Sequence, residues 1–156
     1  MTAIHRTGPV DTQHFDVALT STVPTSTIEQ GDAVAYVSDK AVPASAFTWT
    51  TDLATTQTAF VVAFLGISES RSRAATTDTR DLRINVNMDG TYEFDCTSAS
   101  YTVGQFVGLA KDTGNNLLSS QVVGVATKAL AIGVVVEAGT TVTKVKVRLL
   151  NTLFKK

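Results

Sequence analysis

The sequence predicts an all-β protein: a single-domain β-barrel or β-sandwich of short antiparallel strands with one short helix. Three observations carry that expectation. Polarity comes from hydroxyls more than from charge: only 17% of the 156 residues are charged, whereas 25 are Thr and 11 are Ser. Thr is β-branched, stiff at χ1 and suited to a pleated surface. Apolar and polar residues also alternate with period two, most clearly where Val145, Val147 and Leu149 interleave with Lys144, Lys146 and Arg148. Finally, turn signals recur between many short runs, which predicts about nine to eleven strands in a sandwich or small barrel. A chain of this length forms one compact domain and buries roughly 68–70% of its unfolded surface.

Residues 1–27 read as an N-terminal arm ahead of a barrel or sandwich domain over 28–156. The arm is rich in Thr, Ser and Pro, with Gly8-Pro9 as a turn signal. Within it, alternation of Phe15, Val17 and Leu19 predicts one strand at 14–20, pairing within the chain or with a partner. A turn at Gln30-Gly31-Asp32 then feeds a strand bearing Val34 and Tyr36, and Pro43 ends the continuation because it donates no N–H. A helix fits only at about 52–60, with Thr51 as cap, Asp52 at the positive helix start, and Leu53, Phe60 and Phe64 on one side. It runs into a strand over Phe60–Ser68.

Residues 69–81 (ESRSRAATTDTRD) lack periodicity and read as a long polar loop. Leu82–Cys96 alternates on both sides of Asp89-Gly90, which predicts a hairpin with Arg83 facing Glu93 and Asp95. Strands are expected over Tyr101–Ala110, Leu117–Ala126, Ala129–Glu137 and Val142–Leu150, with turns at 111–116 and 138–140. The pattern also echoes itself. Gly31-Asp32-Ala33-Val34-Ala35-Tyr36 resembles Gly104-Gln105-Phe106-Val107-Gly108-Leu109, and each copy is followed by an apolar strand with a central glycine, Gly66 and Gly133. Two copies predict two halves of one barrel.

Composition excludes several classes of function. One cysteine, Cys96, precludes an internal disulfide and any multi-cysteine metal or iron–sulfur site. Cys96 alternates with Phe94 and reads as a buried structural thiol. His5 and His14 lie near the start, so no histidine cluster forms deeper in the fold. A net charge of −1 argues against general nucleic-acid affinity. Residues 1–20 carry no signal-peptide core, and the longest apolar run, Ala129–Val136, is far shorter than the ~20 residues of a membrane helix. No nucleotide-binding, metalloprotease or serine-hydrolase motif is present, so the protein is expected not to be an enzyme and to need no cofactor. From Gly139 to Lys156 there are five basic residues and no acidic one. Lys144, Lys146 and Arg148 therefore serve either as a face that docks on acidic surface or as protection of a sheet edge, the second being preferred.

Gly31–Val34, Leu65–Ile67, Val103–Gly108, Ile132–Val134 and the closing Val145–Leu149 together resemble the small head-decoration, or cement, proteins of tailed bacteriophages. The likeness covers about 31–150; the stretches 41–60 and 69–81 depart from its plan. The resemblance implies a structural protein that binds the outer surface of a phage capsid and stabilises it. It implies the major capsid protein as partner, a homotrimer (with a dimer as the alternative), synthesis in the host cytoplasm and residence on the virion. The candidate capsid contacts are Arg6 and Phe15 in the arm and Arg71, Arg73 and Arg80 in the loop. A carbohydrate- or protein-binding β-sandwich module is the rival reading, with Trp49 or Tyr101 as a sugar platform.

Overall fold

The computed structural model describes residues 4–7, 12–20, 23–150 and 152–154. In chain order the strands are β1 (Ile4–Thr7), β2 (Thr12–Asp16), β3 (Leu19–Thr20), β4 (Val23–Pro24), β5 (Ala33–Val37) and β6 (Lys40–Pro43). The helix α1 (Leu53–Ala63) leads into β7 (Phe64–Ser68). There follow β8 (Arg83–Asn87), β9 (Thr91–Tyr101), β10 (Phe106–Lys111), β11 (Leu117–Gly124), β12 (Gly133–Val135) and β13 (Gly139–Leu149). The all-β reading with one helix holds. The strands are not uniformly short, since β9 and β13 have 11 residues each.

The two halves of the sequence echo do not combine into one barrel; each closes on itself. In the C-terminal half the order β9-β11-β10-β12-β13 returns to β9 through a β13–β9 pairing, a five-stranded closed ring. Every contact in it is antiparallel except β11–β9, which is parallel with Val122 opposite Cys96. In the N-terminal half the order is β2-β8-β7-β5-β6, wholly antiparallel. Its two ends meet through a parallel bridge between Val17, which continues β2, and Ala41 of β6.

The rings match register for register. Val34 faces Gly66 as Val107 faces Gly133. Val34 also faces Pro43 as Val107 faces Gly124. Ala41 meets Val17 as Val122 meets Cys96. On the two remaining contacts, Ile67 opposes Asn87 as Val134 opposes Arg148, and Asp16 opposes Arg83 as Asp95 opposes Lys144. Glycine at the matched positions 66 and 133 has a common cause. A Cβ on Gly66 would lie 2.1 Å from the Asn87 carbonyl oxygen, and one on Gly133 2.5 Å from that of Arg148. The neighbouring strand's backbone occupies the side-chain space in both rings.

Alternation divides β5 and β7 between two cores. Val34 and Leu65 point into the N-terminal barrel with Val17, Ile28, Ala41, Ile84 and Val86. Ala33, Ala35, Phe64 and Ile67 point the other way, into a larger core shared with α1 and the C-terminal barrel. The extra residue in β7 opposite β5, a bulge, puts Phe64 and Ile67 on one face despite their odd spacing. The helix seals this shared core. Thr56, Gln57, Phe60 and Val61 form its buried face, and Gln57 Nε2 donates to the Leu109 carbonyl at 2.7 Å. Full burial of Phe60 contributes about 1.5–3 kcal/mol.

Several expectations are corrected. The N-cap is Asp52, whose carboxylate accepts from the Thr55 N–H at 2.8 Å, and the helix runs to Ala63, so the following strand starts at Phe64. Leu82–Cys96 is not a hairpin: β8 and β9 belong to different barrels. Both edges of β8 are taken by β2 and β7, and both edges of β9 by β13 and by β1 with β11, so neither has an edge for the other. Asp89-Gly90 is the corner where the chain crosses between barrels, with Gly90 at φ +115°. Residues 1–27 do not form a separate arm in their described part. β1 lies on β9 and β2 is a stave of the N-terminal barrel, ending at Asp16 before the two-residue strands β3 and β4 pair with each other. The strand expected over Ala129–Glu137 is confined to Gly133–Val135, after a 3-10 turn at Lys128–Leu130.

Gly66→Ala is predicted to cost about 3 kcal/mol or more, because a methyl must displace backbone and the residue holds φ +149°. Gly104→Ala, at φ +86° with nothing within 4 Å, should cost only about 1–2 kcal/mol. Urea unfolding of both variants measures the difference; equal stabilities would contradict the close approach in β7.

Candidate functional site

The N-terminal barrel is the elaborated one. From Pro43 to Gly66 the chain takes 23 residues, against nine from the matched Gly124 to Gly133. From Val17 to Val34 it takes 17, against 11 from Cys96 to Val107, and from Gly66 to Arg83 again 17 against 11. These three insertions hold the β3–β4 hairpin, the helix α1, and the arginine-bearing loop. The first and last are stitched together. Ile28 and Ser72 form a two-hydrogen-bond bridge, the Ala75 N–H donates to the Pro24 carbonyl at 2.9 Å, and the Ala74 N–H donates to Thr27 Oγ1 at 3.0 Å. The polar composition of 69–81 hid this anchoring, in which every donor on the loop is a backbone N–H that no side-chain pattern reports.

Two concave surfaces result. One is an apolar cavity of about 620 Å³ lined by Ala18, Thr25, Tyr36, Val37, Phe47 and Ala63, among others. It sits between the hairpin, the end of β5 and the segment around α1. Val37 on its wall is 38% exposed, and Val62, next to Ala63, is 59% exposed. Its size and lining suit an apolar group. Sequence reasoning missed it, because its walls come from segments far apart in the chain.

The other is a polar groove of about 420 Å³ lined by Arg71, Arg73, Arg80, Asp78 and Asp81. Its arginines already have partners. Arg71 pairs with Glu29 at 3.1 Å. Arg73 donates through Nε and a terminal nitrogen to Asp81 at 3.0 and 2.9 Å, and Asp81 is buried. Arg80 grips Asp78 at 2.6 Å. Hydrogen bonding from the Arg80 side chain, helped by its backbone N–H, lowers the Asp78 carboxyl to about 2. The three candidate arginines are therefore brought together on one loop, each answered by an acid.

The other candidates scatter. Phe15 lies in β2, half-buried; its ring meets Tyr36 edge-on at 5.8 Å and stacks on Phe154 at 6.1 Å. Arg6 lies in β1, and its side chain is outside the described residues. His5 and His14 sit in strands of different sheets. Cys96 is buried and donates to the Val142 carbonyl at 3.5 Å, and burial pushes its thiol up. Of the two sugar-platform residues, Tyr101 is 4% exposed, and Lys111 lies over the Trp49 ring at 5.7 Å.

β12 pairs with β13 at Val147–Leu149, so there the basic strand is interior to the sheet and not an edge. Lys144 lies 3.9 Å from Glu93, Lys146 bonds Glu137, and Arg148 lies 3.7 Å from Asp89. These are cross-strand and strand-to-turn pairs on the barrel's outside. Arg83, expected to face Glu93 and Asp95, instead meets Asp16 at 2.8 Å, and this with Lys40 lowers the Asp16 carboxyl.

No family model matches the chain, and no curated protein matches it. The site comprises an apolar cavity with uncharged lining and a loop whose charges cancel in place.

Asp78 contributes its ion pair fully above the ordinary carboxylate value of 3.8, and the pair is lost as pH falls through about 2. NMR titration of the Asp78 carboxyl is predicted to give a midpoint near 2, moving toward 3.8 in Arg80→Ala. An unmoved midpoint in that variant would remove Arg80 as the cause.

Proposed function

We propose that this protein is a structural, non-catalytic capsid decoration protein that binds the outer face of a phage head and stabilises it. The observation that carries the proposal is the one-sided elaboration of a doubled barrel. Two register-matched rings form a scaffold, and two of the three insertions on one ring, together with its β5–β6 turn, build an exposed apolar cavity. The resemblance supports the same reading, since its motifs at Gly31–Val34 and Val103–Gly108 open β5 and β10, and Leu65–Ile67 and Ile132–Val134 cover their partners β7 and β12.

The mechanism is mass action. A protein that binds the assembled shell and not its dissociated subunits stabilises the shell by RT ln(1 + [L]/Kd) at each site. Contacts to neighbouring subunits add avidity. The apolar cavity accepts a side chain from the shell. The exposed arginines, each paired with an acid, form a separate polar surface that orients the contact.

Cryo-imaging of phage particles from the source is predicted to show surface density that fits the double barrel, with the N-terminal barrel toward the shell. In co-sedimentation with undecorated heads, Val37→Arg should weaken binding by about tenfold or more, since a charge enters the apolar wall. Thr113→Arg, on the β10–β11 turn, should leave binding unchanged. Particles bare of this density would contradict the proposal. Wild-type affinity in Val37→Arg would remove the cavity from the contact.

A further inference from the structure

The register match between the barrels exposes one difference at a sheet edge. In the C-terminal barrel, β13 covers one edge of β9 along its length. The other edge is shared by β11, at Asp95 and Cys96, and by β1, at Thr91, Tyr92 and Glu93. Those last three positions match Thr12, Gln13 and His14 of β2, because Arg148 opposes Thr91 where Asn87 opposes Thr12. On β2, β8 covers one edge and Ala41 meets Val17 on the other. Among the described residues no strand stands where β1 stands on β9.

Hydrogen-bond parity fixes which groups that edge presents. The Val17 N–H donates to Leu82, on the β8 side, and the Ala18 N–H donates to Ala41, on the opposite side. Successive peptide groups alternate, so the N–H and C=O of Thr12 and His14 face outward. Thr12, Gln13 and His14 are all exposed. Edge strands are normally guarded by Lys, Pro or a bulge. This stretch contains no lysine and no proline, and it pairs with β8 without a shift in register. Phe154 lies beside it, stacked on Phe15 and 56% exposed.

We infer that this open edge of β2 is a strand-addition surface whose occupant is the same edge of a second copy of this chain. The edge is self-complementary. With two β2 strands antiparallel about Gln13, Thr12 of each copy faces His14 of the other, and both pairs exchange two backbone hydrogen bonds. No formal charge opposes its like within the paired stretch, and the exposed Phe154 rings flank the junction. Such a contact is isologous and closes at two copies, unlike the three-fold ring that the resemblance implies. It is independent of the proposed function, because it forms in the free protein.

Two variants test it. His14→Pro removes an outward N–H and leaves the β8 ladder intact, since Gln13 and Phe15 carry that ladder. Gln13→Cys puts a thiol on the two-fold axis, where facing Cα atoms stand about 4.5 Å apart, within disulfide reach. Light scattering should give twice the 16.5 kDa chain mass for the wild type and the single mass for His14→Pro. Under mild oxidation Gln13→Cys should cross-link about tenfold faster than Thr113→Cys, which lies on a distant turn. A wild-type monomer, a trimer, or equal cross-linking rates would overturn the inference. The cross-linking comparison decides alone if His14→Pro fails to fold.

Discussion

An open five-stranded sheet leaves two edges with unpaired backbone groups, and this molecule joins them twice by the same device, leaving the start of β2 open among the described residues. In each half a strand returns to lie parallel beside the first, at Val17–Ala41 and at Cys96–Val122. Everything else is arranged around those two contacts. The ring closes only if its fourth strand comes close enough to its neighbours, and Gly66 and Gly133 permit that approach. Closure also sets direction. Once the rings are shut, alternate residues have no choice but interior or exterior, so Val34 fills one core while Ala33 and Ala35 face another. Backbone satisfaction thus precedes side-chain packing in explaining why this fold has two small barrels with a shared core between them.

The shared core ties the halves into one body. α1 stands in the N-terminal half of the chain, yet Gln57 satisfies a carbonyl of β10 and Phe60 joins a cluster containing Tyr92, Val107 and Ile132. β1 crosses in the same sense, since it precedes the N-terminal barrel but pairs with β9. The duplication leaves one ring spare and the other embellished. The C-terminal ring keeps short connections and a longer β10–β11 hairpin; the N-terminal ring carries the helix, the small hairpin and the arginine loop. An apolar cavity arises on that side between the small hairpin, the β5–β6 turn and the segments flanking α1.

Much of the fold was legible in the sequence. Alternation located β8, β9 and β13, and the Gly31/Gly104 and Gly66/Gly133 echo marked positions that occupy matched places in the two rings. The inference failed at the step from local pattern to pairing. Asp-Gly between two alternating runs predicts a hairpin when only neighbours are considered, but β8 and β9 each have two better-placed partners. Ring closure, a long-range constraint, overrode the turn. The edge reading of β13 failed for the same reason: two neighbours, β9 at Glu93 and Tyr92 and β12 at Gly133–Val135, flank the end of this strand, and no local pattern reports either pairing. The arginines were found, but not their acids, because Asp78, Asp81 and Glu29 carry no signal of pairing in one dimension. The cavity left no trace in the sequence at all, since Ala18, Val37 and Ala63 look like ordinary strand and helix residues.

The central claim is that each half closes its own ring through a parallel contact, and solution NMR tests it most directly. Inter-strand backbone contacts should appear between Val17–Ala18 and Ala41–Val42, and between Asp95–Cys96 and Gln121–Val122, with spacing typical of parallel pairing. The corner at Asp89-Gly90 should show no cross-strand contacts between Val86 and Tyr92 or between Ile84 and Phe94. The reverse result, hairpin contacts across Asp89-Gly90 with none between Val17 and Ala41, would describe a single barrel and contradict the account.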